Sequence, residues 1–170
     1  MNIFLTGEKQ IGKSTVIKKA LDGSLCRLSG FYTIREQYLM GDWSVHVLKA
    51  GSDEVPSKEN LLFYPTRDNQ KVYCFDTLAV DTMKDAENAD LVIMDEIGFG
   101  EDKAPEFQKR VREILDSNVP VLGVLQKNNG RHEYRFVAEL AARPDVRVIE
   151  VNTENRDGLA SCIKNFLSPL

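Results

Sequence analysis

The chain has 170 residues, 42% hydrophobic and 28% charged, the proportions of an ordinary globular domain with enough residues for one continuous core. A formal net charge of −4 points away from a nucleic-acid surface, and no apolar stretch approaches the length of a membrane span. Cys26, Cys74 and Cys162 are odd in number, widely spaced and without a C-x-x-C, which argues against a disulfide framework or zinc site and for reduced thiols in the cytoplasm.

In chain order, Ile3-Phe4-Leu5 reads as a short buried strand. Gly7-Glu8-Lys9-Gln10-Ile11-Gly12-Lys13-Ser14 follows directly and fits G-x-x-x-x-G-K-[ST], the phosphate-binding loop, in the strand-then-helix setting this motif requires. Val16, Ile17, Ala20 and Leu21 then recur at helical spacing until Asp22-Gly23. Phe31–Tyr38 and Trp43–Leu48, on either side of Met40-Gly41-Asp42, predict a β-hairpin. A polar stretch over 50–60 precedes two short candidate strands, Leu61–Tyr64 and Lys71–Phe75, around Pro65 and Asp68-Asn69. Leu78, Ala79, Thr82, Met83 and Ala86 make a helical face, and Leu91-Val92-Ile93-Met94 is an unalternating apolar run, as for a strand covered on both sides. The helix pattern Ala104, Phe107, Val111, Ile114 and Leu115 leads into the strand Val121–Leu125. Phe136, Val137, Leu140 and Ala141 precede the strand Val146–Val151, and Leu159, Ile163, Phe166 and Leu167 close the chain as a helix.

This alternation predicts an α/β fold around a mostly parallel sheet flanked by helices. It forms a single domain over residues 1–170, with the hairpin region, about 30–75, as an insertion in the sheet. With neither a coiled-coil heptad nor an obvious apolar patch, a monomer is expected.

The loop chemistry follows from residue types. Gly7 and Gly12 allow a turn with positive φ and a close backbone approach to an anion. Successive N–H groups and the helix N-terminus then face phosphate oxygens. Lys13 supplies a point charge for the β and γ phosphates, and the Ser14 hydroxyl is suited to Mg²⁺. The nucleotide-binding set is therefore Gly7 to Ser14, with Thr15 behind it. Asp95-Glu96 ends the apolar run at 91–94, where open α/β sheets place their ligands. Asp95 would hold Mg²⁺ opposite Ser14, and Glu96 would take a proton from the attacking water. Glu101 lies beyond Gly98 and Gly100; it reads more readily as a solvated acid at a helix start than as a third carboxylate of the site.

Gly7-Glu8 with Gly12-Lys13-Ser14, Gly30-Phe31-Tyr32-Thr33, Asp95-Glu96-Ile97-Gly98 with Glu101, and Thr153-Glu154-Asn155-Arg156-Asp157 occur in this order. Together they resemble the small P-loop nucleoside-triphosphatase family, which includes the cancer-related nucleoside-triphosphatases and their archaeal and bacterial relatives. The resemblance implies a RecA-like P-loop fold with one strand between the phosphate-loop strand and the acidic strand. It also implies slow, Mg²⁺-dependent hydrolysis of several nucleoside triphosphates with weak base selectivity, and Asn155 and Arg156 beside the base. Two departures stand out: Lys9-Gln10 replaces the Pro-Gly common in members, and Ile34-Arg35-Glu36 follows Thr33 where relatives more often place an acid directly.

Smaller features have ordinary readings. Lys9 is more readily a solvated loop lysine than a partner for the γ-phosphate. Thr153 is a candidate cap for the last helix, His46 a strand residue and His132 a solvated one. Trp43, Phe31, Tyr32 and Tyr38 read as sheet packing. The absence of an evident arginine finger predicts slow turnover. Two rival functions remain: a kinase, with Arg35 and Arg67 serving an acceptor lid, and a nucleotide-operated switch. Gln126-Lys127-Asn128-Asn129 lacks the aspartate of a guanine-reading element.

Overall fold

The computed structural model describes residues 2–37, 43–64, 74–98, 100–128 and 134–167. The strands are β1 (Asn2–Thr6), β2 (Leu28–Gln37), β3 (Trp43–Lys49), β4 (Leu61–Phe63), β5 (Leu91–Ile97), β6 (Val121–Leu125) and β7 (Val146–Glu150). They form one sheet in the order β4-β3-β2-β5-β6-β1-β7. From β2 to β7 every pairing is parallel, while β3 and β4 are added antiparallel at one edge. β6 thus separates the phosphate-loop strand β1 from the acidic strand β5, as the family resemblance implies.

The helices are α1 (Lys13–Leu21), α2 (Val80–Thr82), α3 (Pro105–Leu115), α4 (Arg135–Ala141) and α5 (Arg156–Leu167). The inner parallel strands β1, β5 and β6 are buried on both faces because helices cover both, while β7 at the edge stays largely exposed. On one face Val16, Ile17, Ala160, Ile163 and Leu167 of α1 and α5 pack on Ile3, Leu5, Leu91 and Ile93. On the other, α3 and α4 cover Phe4, Phe31, Val92 and Met94. Phe107 is the centre of that side, edge-on to Phe31 at 5.7 Å, Phe75 at 5.9 Å and Phe136 at 6.5 Å. Such pairs contribute about 0.5–1.5 kcal/mol each beyond the area they bury. Pro105 opens α3 without sacrificing a needed donor, and Asp76 accepts the Phe107 N–H at 3.0 Å.

Several local expectations are revised. β2 pairs with β5 from Leu28 to Tyr32 and runs on to pair with β3 up to Gln37, so the hairpin grows out of a strand of the main sheet. The helical face expected over 78–86 is broken into Phe75–Ala79, Val80–Thr82 and the turn Ala86–Asn88. Phe75 opens the first of these and does not end a strand. Trp43 is 41% exposed and packs little. His46 is indeed structural, buried between Ser44 Oγ at 2.8 Å and Asn60 Oδ1 at 3.0 Å. Tyr38, Met40-Gly41-Asp42, Pro65, Arg67, Asp68-Asn69, residues 71–73, Asn129 and His132 lie outside the described residues. Among the described residues no helix is long and apolar enough to cross a membrane.

Candidate functional site

The phosphate loop connects β1 to α1 at the carboxyl end of the parallel strands. Gly7 adopts φ 140°, and a Cβ there would lie 2.5 Å from the Val151 carbonyl oxygen, so only glycine lets the loop leave β1 beside β7. Ile11 packs against the apolar cluster beneath α1 and anchors the loop from below. Gly12, at φ 107°, precedes α1, whose N-terminus has no side-chain cap and no acidic residue in its first turn. The first N–H groups of α1 are thereby left for an anion. Gln10 takes φ 63°, the left-handed conformation that glycine would adopt more easily.

Lys13 is 8% exposed, and its Nζ donates to the carbonyls of Gly7 and Glu8, both at 3.0 Å. The ammonium is held over the loop, inside the ring where phosphate oxygens would sit. Ser14 Oγ donates to Asp95 Oδ1 at 3.0 Å, which joins the loop to the end of β5. Burial pushes the Asp95 carboxyl up to about 6; the Ser14 hydrogen bond opposes this rise and the neighbouring Glu96 charge adds to it. Burial also pushes the Tyr32 phenol up to about 12, with Asp95 adding to the rise.

Asp95 is bonded to Ser14 at the start of α1, and Glu96 shares its cavity walls with Thr33 and Arg35. A cavity of about 470 Å³ is lined by Gly7 to Gln10, Gly12 to Thr15, Thr33, Arg35, Asp95, Glu96, Val124 and Gln126 to Asn128. A smaller one of about 190 Å³ lies on the other side of Glu96, with Thr33, Arg35, Gln126 and Glu101 in its wall.

Glu101 is not solvated: it is 4% exposed, and its Oε2 accepts the Gly98 N–H at 3.0 Å. The two-glycine turn carries it inward, and the helix it was expected to start begins only at Pro105. Burial pushes its carboxyl up to about 7, against the hydrogen bond from Gly98 and with the nearby Glu96 charge adding to the rise.

The sequence-derived set Gly7, Glu8, Lys9, Gln10, Gly12, Lys13, Ser14, Thr15, Asp95 and Glu96 therefore converges on one cavity. Asn155 and Arg156 do not line it. Asn155 builds the turn before α5: its side chain donates to the Glu150 carbonyl at 2.8 Å and accepts the Asn152 N–H at 2.9 Å. Asn152 Oδ1 in turn accepts the N–H groups of Glu154 and Asn155, so these two asparagines, and not Thr153, shape that helix start.

Sequence reasoning missed Thr33, Arg35, Gln126, Lys127 and Asn128 as wall residues. The signal for the last three was available, since they follow the carboxyl end of a parallel strand adjacent to the phosphate loop. Lys127 pairs with Glu8 at 3.0 Å and Glu150 at 2.8 Å, tying the loop's rim to β7.

Residues 2–164 match a family model described as NTPase. The chain is 32% identical to the nucleoside-triphosphatase THEP1 of Thermotoga petrophila over 165 residues, 94% of this chain and 88% of that one. It is 29% identical to the cancer-related nucleoside-triphosphatase homolog of Bos taurus, covering 93% of this chain and 92% of that one. The crystal structure of THEP1 from Aquifex aeolicus superposes with a TM-score of 0.70 at 27% identity, over 99% of both chains. With the phosphate loop, the acidic strand and the intervening β6 in common order across nearly the whole length, the chain belongs to the NTPase family, the small P-loop nucleoside-triphosphatases.

Proposed function

We propose that the protein hydrolyses nucleoside triphosphates to diphosphate and phosphate, with Mg²⁺, slow turnover and weak base selectivity. The observation that carries this reading is the closure of loop and acids around one cavity, with Ser14 Oγ 3.0 Å from Asp95 Oδ1 and Glu96 in the same wall. The loop N–H groups and Lys13 bind and orient the phosphates. Glu96 accepts a proton from the attacking water, whose oxygen bonds to the γ-phosphorus as the bond to the β–γ bridging oxygen breaks.

The donor set fits a hard divalent cation. Asp95 is 2% exposed, and a carboxylate so buried beside a single hydroxyl partner is stabilised by an adjacent positive charge. Ser14 and Asp95 would hold Mg²⁺, which when bound supplies neutralisation of the phosphate oxygens. Glu8, Lys9 and Gln10 on the rim are exposed, and access of water weakens charge stabilisation, in keeping with slow turnover.

The test is phosphate release from ATP, GTP, CTP and UTP with and without Mg²⁺, beside Glu96→Gln. Metal-dependent release from several triphosphates is expected, falling about 100-fold or more in the variant while nucleotide affinity is kept. A variant as fast as the parent would remove Glu96 as the base.

A further inference from the structure

Arg35 is three residues past the Tyr32–Asp95 pairing on β2, about 10 Å further along the strand, where β2 overhangs the acid end of β5. Thr33 and Arg35 share a strand face. Both line the phosphate-loop cavity with Lys13 and Ser14, and both line the smaller cavity with Glu96 and Glu101. The cations in the first wall are Lys9, Lys13, Arg35 and Lys127. Lys13 is bonded to loop carbonyls, and Lys127 is neutralised by Glu8 and Glu150. Of the four, Arg35 alone also borders the second cavity beside Glu96. Arg27, Arg110, Arg112 and Arg143 are each held by a carboxylate within 3 Å; Arg35, like Arg135, Arg147 and Arg156, has no ion pair among the described residues, and of these four it alone lines the cavity. An unneutralised guanidinium at the junction of the phosphate cavity and the base has the charge and planar donor set for a phosphoryl oxygen pair.

We propose that Arg35 is a catalytic residue, a cation supplied by the chain itself that bonds the γ-phosphoryl oxygens as charge develops on them. The inference rests on the hydrolytic reading above. Arg35 transfers no proton: the water proton goes to Glu96, the diphosphate leaves on its bridging oxygen, and the guanidinium stays charged throughout. Its effect therefore lies in kcat and not in ground-state binding.

Single-turnover hydrolysis of Mg²⁺–ATP is compared for the parent protein, Arg35→Ala, Arg35→Lys and Glu96→Gln, with nucleotide affinity measured by a fluorescent ATP analogue. Arg35→Ala is expected to lose about 100-fold in rate, below the 10³–10⁵ of arginines delivered by a partner because this one is exposed, with affinity within about threefold of the parent. Arg35→Lys, which keeps charge without the planar fork, falls between. Added guanidinium ion restores part of the rate of Arg35→Ala and none of that of Glu96→Gln, a rescue that a structural defect would not show. Arg35→Ala turning over within twofold of the parent overturns the proposal, as does a loss confined to affinity. A parent protein that releases no phosphate above a protein-free control overturns the hydrolytic reading itself, and with it this one.

Discussion

Glu101 is buried with its carboxylate accepting the Gly98 N–H, and burial raises its carboxyl from the ordinary range to about 7. A raised acid binds its proton more tightly in the folded state. Its contribution to stability is full below the unfolded value and is lost as pH rises towards 7. The loss is up to about 3 kcal/mol at the full shift. Glu101→Gln keeps an acceptor for Gly98 and has no proton to lose. Urea midpoints should therefore fall between pH 5 and pH 8 more steeply in the parent than in Glu101→Gln, which keeps only the part due to the raised Asp95 carboxyl; parallel pH profiles would contradict this. At the same scale, Gln10 shows the physical meaning of a sequence departure. The Lys9-Gln10 replacement was legible as a change, but the positive φ that makes it a strained one was not. Non-glycine residues in that region are disfavoured by about 1 kcal/mol or more.

At the scale of elements, β2 is the part on which both sides of the site depend. Its Gly30 adopts φ 95°, and a Cβ there would lie 1.9 Å from the Ile93 carbonyl oxygen on β5. Gly30→Ala must push β2 away from the acidic strand. It should lower unfolding free energy by about 2 kcal/mol or more, read from the urea midpoint, and shift Thr33 relative to Glu96; an unchanged midpoint would show that the strands can separate freely. The inner strands β1, β5 and β6 were legible because both faces are apolar, and α3 and α5 because their periodicity is long. The segment 75–88 was not, because its apolar positions serve three short turns around Phe75 and Met83, and a one-dimensional pattern reads them as one helix face.

At the scale of the molecule, the two apolar clusters on opposite faces of the sheet fix the strands whose carboxyl ends make the site. α1 packs on α5 on one side, and Phe107 ties α3 to β2, Phe75 and α4 on the other. Ligand bound only by the folded state adds to its stability: Mg²⁺ with a non-hydrolysable triphosphate at a hundredfold its dissociation constant should add about 2.7 kcal/mol. That increment is expected as a rise in Tm by calorimetry and should be absent in Lys13→Ala, whose ammonium is held inside the loop. An equal rise in both would place the phosphates elsewhere. The phosphate-loop motif and the acidic strand end at Asp95-Glu96 were legible in the sequence alone, since each is a local pattern with its flanking strand or helix contiguous in the chain. Tertiary structure alone decided that Glu101 is buried, that Asn155 is spent on a turn, and that Arg35, Gln126, Lys127 and Asn128 share the cavity wall. Those placements depend on which strands become neighbours and which face each residue takes, and both are settled by packing between segments far apart in the chain.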